Sequence, residues 1–315
     1  MLEYIVKKFL MMIPIVILVS MILFLLLSTL PGDAALIAAG EYSSDEDIAE
    51  LRHSMGLDQP VYVQYWNWFS RVLRGDFGKS LLTGSSITER VALRFPATLQ
   101  LTILSMIVSV LIALPLGIAS AVYRNSIWDS LCSFIGVIGV SMPSFWLGML
   151  FIIFFSLNLG WLPTSGFVSI LENPIEGIRH LIMPAFSIGA SFAATTMRQT
   201  RNALLEVLNQ DYMITAKAKG LPGYLIIWKH ALRNALIPVV TVVAMQTGKL
   251  FGGAIIAETV FVIPGLGSDI VNSIMSRDYP ITMALILVVA IIVIVINTFI
   301  DILYGVIDPR VGRNK

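Results

Sequence analysis

DYMITAKAKGLPGYLIIWKHALRNALIP, residues Asp211 to Pro238, is a polar and basic island set between stretches apolar enough to cross a bilayer. A chain built this way keeps one surface in water at the membrane while its flanks stay in lipid. Asp211 can cap a short helix, MITAKAK, which Gly220 ends; Leu221-Pro222-Gly223 makes a turn, and helix resumes from Tyr224 to His230. Helix, tight turn, helix is the expected local form. Ala216 and Gly220 fall on one helical face and make a smooth strip that a partner can approach closely, with Lys217 and Lys219 supplying charge beside it. The same residues also suit a re-entrant connector whose basic side chains meet anionic headgroups.

Working outward, the chain is 57% hydrophobic and 13% charged with mean hydropathy +0.83, more apolar surface than one soluble globule can hide. A span needs about 20 apolar residues at about 1.5 Å rise each. Stretches near that length run from Phe9 to Leu30, Thr98 to Tyr123, Leu131 to Leu159, Leu181 to Met197, Ala235 to Ile263 and Ile281 to Val306. The expected fold class is therefore an all-α integral membrane protein with six transmembrane helices. The fourth, LIMPAFSIGASFAATTM, is short, rich in small residues and broken by Pro184, which suits a helix buried among others better than one facing lipid. Lys7 and Lys8 precede the first run as in a secretory signal. That run is too long for one, and Leu30-Pro31-Gly32-Asp33 is a poor cleavage site, so an uncleaved helix is expected.

Orientation follows from the basic residues. Lys and Arg number 2 before the first helix, 1 in Tyr123 to Ser130, 6 in Arg198 to Asn234 and 3 after Val306, whereas the short loops opposite, Gly160 to His180 and Pro264 to Pro280, hold only Arg179 and Arg277. The richer side is cytosolic by the positive-inside rule, which puts both termini there. The segment Pro31 to Phe95 then lies outside, a partly helical insertion between the first two spans. In it, SSDEDIAELRHSMGL reads as a capped helix with Ile48, Leu51 and Met55 at helical spacing before Gly56. From Val61 to Leu73, Tyr65, Trp66, Trp68 and Phe69 cluster, either as an anchor at headgroup level or as a grip on a partner protein. The domain plan is thus a first transmembrane helix 1–30, the insertion 31–95, a transmembrane core 96–306 with cytosolic segment 198–234, and the cytosolic tail 307–315.

Chemistry is sparse. Gly78-Lys79-Ser80 looks like the end of a phosphate loop, but the position that needs the first Gly is Leu73. His53, His180 and His230 lie in different regions without a metal or nucleophile pattern, and the lone Cys132 allows no internal disulfide. No enzyme activity, no metal and no nucleic acid is expected of this chain.

Tyr212 to Gly220, followed by His230-Ala231-Leu232-Arg233-Asn234-Ala235-Leu236-Ile237-Pro238, resembles the cytosolic coupling signature of ABC importer permeases of the dipeptide/oligopeptide/nickel class. Marks along nearly the whole chain agree with it in order: Leu30-Pro31-Gly32-Asp33, Gly56-Leu57-Asp58-Gln59-Pro60, Gly75-Asp76-Phe77-Gly78, Pro96-Ala97-Thr98, Ser141-Met142-Pro143-Ser144-Phe145-Trp146, Gly160-Trp161-Leu162-Pro163, Glu258-Thr259-Val260-Phe261, Pro264-Gly265-Leu266-Gly267, Arg277-Asp278-Tyr279-Pro280 and Asp308-Pro309-Arg310. The broader signature Glu-Ala-Ala-x-x-x-Gly is altered, because Ile214, Thr215 and Ala216 stand in its first three places, and an acidic contact at Ile214 is excluded. The resemblance implies a binding-protein-dependent permease in a bacterial or archaeal inner membrane. It also implies a homologous second permease, two ATPases carrying ATP and Mg, an external solute-binding protein, and a docking segment of Tyr212, Ala216, Lys217, Ala218, Lys219, Gly220 and Leu221.

In the fifth helix Ala244, Gly248 and Gly252 recur every fourth residue and permit close backbone approach, as at a permease interface. Lys249 and Glu258 on the same helix are costly in a span unless they face a partner, water or cargo; for Lys249 a path role competes with interhelical pairing and snorkelling. Pro143 beside Ser141 and Ser144 implies a kink, or a bend whose free carbonyls line a passage. By resemblance, Glu258 to Gly267 forms the external lip, with Phe261, Pro264 and Gly265 as gate residues. Expected cargo is a di- or oligopeptide, with nickel, a metallophore or a glutathione-like compound as alternatives within the same machinery. An ion-coupled secondary transporter is the competing class.

Overall fold

The computed structural model describes residues 2–29, 34–39 and 44–307, so the marks at Leu30-Pro31-Gly32-Asp33 and Asp308-Pro309-Arg310 lie outside the described residues. The helices are α1 (Leu2–Ser28), α2 (Ala34–Ala39), α3 (Asp45–Ser54), α4 (Val61–Leu73), α5 (Ile87–Val122), α6 (Ile127–Ser141), α7 (Ser144–Phe151), α8 (Pro174–Leu208), α9 (Asp211–Ala218), α10 (Gly223–Leu225), α11 (Leu232–Val260), α12 (Leu266–Met275) and α13 (Tyr279–Ile307). Two π-helical stretches extend this set, Ile152–Asn158 after α7 and Ile226–Ala231 between α10 and α11. Among the described residues the only extended pairing is an isolated antiparallel bridge between Lys79 and Ser86.

Among the described residues four helical stretches can cross a membrane by length and composition, Ile5–Ser28, Ile87–Val122, Gly223–Val260 and Tyr279–Ile302, and α6 with α7 and its π-helical extension to Asn158 makes a fifth if the bent pair is one span. The expected third span is not a kinked helix but a broken one, turning by 101° between Ser141 and Ser144. The ring of Pro143 pushes the residue before it out of the helical region, and Met142 duly sits at φ −87°, ψ 124°. Each arm is about 22 Å long, short of the roughly 30 Å hydrocarbon layer.

The expected fourth span lies within α8, which at 35 residues is about 50 Å long and is not among the apolar spans. It runs through Pro184 without a break and on past Met197 to Leu208, taking in the first part of the expected cytosolic segment. Burial explains its polarity. Leu181, Ala185, Ser187, Ile188, Ala193, Thr196 and Met197 are all enclosed by protein, so the helix need not present an apolar surface to lipid. Neighbouring backbones come very close: a Cβ on Gly189 would stand 2.8 Å from the Ser105 carbonyl oxygen of α5, and one on Gly139 of α6 would stand 2.9 Å from that of Ala190.

The chain divides into two compact units, Met1–Ala97 with Pro264–Lys315, and Thr98–Ile263. In the first, the second half of the insertion folds onto α12 and α13. Arg90 forks onto Asp269 at 2.6 and 2.5 Å, Ser80 Oγ donates to Asp278 Oδ2 at 2.5 Å, and Ile87, Leu266, Ile270, Ile281 and Leu285 make an apolar core beneath. The apparent phosphate-loop ending at Gly78-Lys79-Ser80 is thus a turn whose serine is engaged by a carboxylate. The capped helix of the insertion forms as α3, with Ser44 and Asp47 in a reciprocal capping box. Lys8 and Asp301 join α1 to α13 at 2.5 Å.

In the second unit, Arg201 of α8 grips Asp129 of α6 through Nε at 3.0 Å and Nη2 at 2.8 Å, while Ser120 Oγ of α5 also donates to that carboxylate. The amide of Asn125 completes the set at 3.1 Å, so three helices converge on one buried acid. A carboxylate removed from water demands this many partners.

Candidate functional site

The polar island opens with α9, whose inward face is Met213 and Ala216, at 0% and 9% exposure. Both are apolar and three residues apart, so they seat the short helix against its own chain: Met213 joins a buried cluster with Leu204, Ile226, Ala231, Ala235 and Val239. Asn234 Nδ2 donates to Tyr212 Oη at 2.8 Å and ties the same helix to the start of α11. Gly220 ends it at φ +73°, the left-handed position that glycine adopts at least cost, and a Cβ there would meet nothing within 4 Å.

Sequence spacing placed Ala216 and Gly220 on one open strip. The structure turns Ala216 inward and leaves Ile214, Thr215, Ala218, Lys219 and Gly220 outward, with Leu221 half-buried on the cluster. Three exposed apolar side chains went unread: Ile214, Tyr224 and Trp228, each at least 60% accessible. The signal that could have found them is the Met213/Ala216 pair, which fixes the buried face of α9 and sends Ile214 the other way.

The second arm of the island is not a separate helix. α10, its π-helical turn and α11 form one continuous helical stretch of 38 residues from Gly223 to Val260.

Along α11 one side is packed and the other open. Val239, Gln246, Leu250, Phe251, Ala254, Ala257 and Glu258 are buried, and Thr196 of α8 donates to Gln246 at 3.0 Å. Ile237, Val240, Met245, Lys249, Gly252, Ile256 and Thr259 are exposed, with Ala244 and Gly248 half-buried at the margin; a Cβ on Gly252 would meet open space. Lys249 and Glu258 are nine residues apart, about 180° around the helix, so they face opposite ways. Glu258 is fully buried and accepts a hydrogen bond from Thr98 Oγ1 at 2.6 Å. Of these two ionisable residues, Lys249 alone lies on the open side.

The expected gate residues also part company. Phe261 is 2% exposed, its carbonyl takes the Gly166 amide at 3.0 Å, and its ring packs on Gly148. Pro264 and Gly265 belong to the other unit, where Gly265 precedes α12 and its amide donates to Ser268 Oγ at 3.2 Å. Between Phe261 and Ile263, Val262 holds φ +51°, a left-handed backbone that a β-branched residue adopts only under strain.

His53 and His180 have ordinary partners, Asp58 Oδ2 at 2.6 Å and the Glu176 carbonyl at 2.8 Å, and hydrogen bonding to the His53 ring holds the Asp58 carboxyl below the usual carboxylate range. Among the described residues no three His, Cys, Asp or Glu side chains gather as a metal site.

Residues 113–313 match the family described as "Binding-protein-dependent transport system inner membrane component", and residues 1–102 match "Binding-prot-dependent transport system membrane comp, N-term". The chain is 43% identical over 311 residues to the glutathione transport system permease protein GsiC of Salmonella typhimurium strain LT2, and equally so to that of Escherichia coli strain K12, with 99% of each chain covered. A solved inward-facing structure of the MetNI methionine ABC transporter superposes with TM-score 0.58 at 20% identity, covering 70% of this chain and 96% of that one. A second crystal form gives 0.54 at 21% identity, covering 67% and 93%. These last two likenesses are of fold.

Proposed function

The chain belongs to the family of binding-protein-dependent transport system inner membrane components, multi-pass permeases of ABC importers in the cytoplasmic membrane, and from that premise we propose that it moves di- or oligopeptides inward. Kinship to glutathione permeases over the whole length supports a peptide, since glutathione is itself a short peptide, and makes glutathione-like cargo the nearest variant. Nickel chelates and metallophores are the more distant one. As in its family, ATP hydrolysis belongs to separate cytosolic subunits and cargo arrives on an external binding protein. The assembly we envisage has one homologous second permease and two ATPases, each using ATP and Mg. Six spans with both termini cytosolic complete the topology.

The observation that carries the coupling mechanism is the unbroken helical rod from Gly223 to Val260. An ATPase groove seated on the outward face of α9, at Ile214, Thr215, Ala218, Lys219 and Gly220, with Tyr224 and Trp228 at the rod's foot, has a direct mechanical line into the bilayer. Met213, Ala216 and the Tyr212–Asn234 bond keep α9 fixed to that rod, so a push is transmitted rather than absorbed. Rocking of such an element between two arrangements is the ordinary way to convert partner closure into an opened path. Ala244, Gly248 and Gly252 border the open face of α11, which we assign to the second permease and the passage between the two; Lys249 offers an ammonium to anionic cargo there. Glu258 serves instead to hold α11 against Thr98.

The test is uptake into proteoliposomes carrying the whole assembly, with a labelled dipeptide and unlabelled competitors. ATP-dependent accumulation, displaced by peptides and glutathione but not by nickel chelates, is expected. Uptake displaced by chelated nickel alone would reject the peptide reading.

A further inference from the structure

α4 carries three distinct arcs. One packs inward: Trp68 and Phe69 form a buried cluster with Leu23 and Phe24 of α1 and Leu287 of α13, Tyr65 stacks on Phe69, and Tyr65 Oη shares a hydrogen bond of 2.9 Å with Ser20. Beside it lies an exposed apolar stripe, Tyr62, Trp66 and Leu73, at 75%, 63% and 69% accessibility and at helical spacing. The remaining arc is polar: Gln64, Asn67, Arg71 and Arg74. Gln64 and Asn67 reach back to Gln59, which fixes the helix's roll.

Depth decides what the stripe meets. The α1 contacts run from Ser20 to Leu27, about 12 to 2 Å short of that helix's end at Ser28, and the α13 contacts from Met283 to Ile291 lie about 6 to 18 Å in from Tyr279. Half the hydrocarbon layer is about 15 Å. The packed arc of α4 is therefore level with the outer leaflet, and over the same depth α1 itself exposes an apolar wall of Leu18, Ile22, Leu25 and Leu26.

We propose that α4 is a membrane-surface helix sunk into the outer leaflet, with Tyr62, Trp66 and Leu73 among lipid acyl chains and Arg71 and Arg74 at the phosphate level. Aromatic side chains favour that boundary, and basic ones on the opposite arc match anionic headgroups. The proposal rests on the topology given above, because the ends of α1 and α13 that flank α4 must face outward.

Single cysteines test it in the whole assembly, in liposomes of phosphatidylethanolamine and phosphatidylglycerol, with Cys132→Ser removing the one native thiol. A membrane-impermeant maleimide added outside should label Arg71→Cys and Arg74→Cys readily, and Trp66→Cys and Leu73→Cys about tenfold more slowly, while a lipid-soluble maleimide reaches the last two. Equal rates at all four positions would place α4 in water and overturn the proposal. Fast labelling at 66 and 73 that is blocked only by the external binding protein would overturn it in favour of a protein surface. Labelling of 71 and 74 solely from the ATPase side would overturn it together with the topology, whereas loss of peptide uptake alone leaves all these rates unmoved.

Discussion

Val262 has a branched side chain at φ +51°, where L residues cost roughly 1–2 kcal/mol, and nothing in its exposed position offsets that cost locally. Val262→Gly is expected to raise stability by about 1 kcal/mol in thermal unfolding of the solubilised chain, and a fall would show that the valine is needed in place. Lys249 stands about 17 Å from the C-terminal end of α11, well inside the apolar stretch, on a side of the helix this chain leaves open. A charge there is expensive against lipid. Lys249→Met should cut uptake of peptides with a free carboxylate about tenfold and spare amidated ones, with Lys249→Arg close to wild type; equal effects on both cargoes would remove it from the path. Such residues show how far sequence reaches. The island stands out by its pattern, but the outward side of α9 hangs on one short-spaced apolar pair, Met213 and Ala216, beside which MITAKAK also offers Ile214, and burial of Met213 decides between them.

Helices were legible where lipid makes the demand and obscure where protein does. α1, α5, α11 and α13 announce themselves by hydropathy, whereas α8 is enclosed on many sides and its small polar residues hide a length of 35 residues. Pro143 signalled a disturbance in the third span; its size, 101°, depends on Met142 leaving the helical region altogether. Close packing of α8 gives a sharp contrast between two glycines. Gly189→Ala should destabilise the chain by about 1–3 kcal/mol, since the new methyl meets the Ser105 backbone, while Gly252→Ala, which meets nothing, should be neutral or slightly stabilising in the same melt. At the end of α9 the two demands on Gly220 can be separated. Gly220→Asn tolerates the left-handed backbone and should keep most ATP-driven uptake; Gly220→Val should lose it while still inserting in the membrane. Equal uptake by both variants would mean that the turn is not a coupling element.

For the molecule as a whole, the family was legible through motifs spread along nearly its entire length, but not the division into two units, which pairs the first and last helices across the greatest separation in the chain. Contacts so distant in sequence leave no periodicity to read. An assembly whose motor lies on other subunits makes a plain prediction: the purified chain alone in liposomes should accumulate no peptide against a gradient, with or without a proton or sodium potential, and uphill uptake by that preparation would place it among ion-coupled carriers. The rod from Gly223 to Val260 has one more consequence. Coupling through a continuous helix has no preferred direction. If nucleotide binding inside changes the affinity for a loaded binding protein outside, then arrival of that protein must change nucleotide affinity by the same factor, as thermodynamic reciprocity requires. Where that coupling is positive, an empty outer face leaves nucleotide more weakly held, without any dedicated inhibitor.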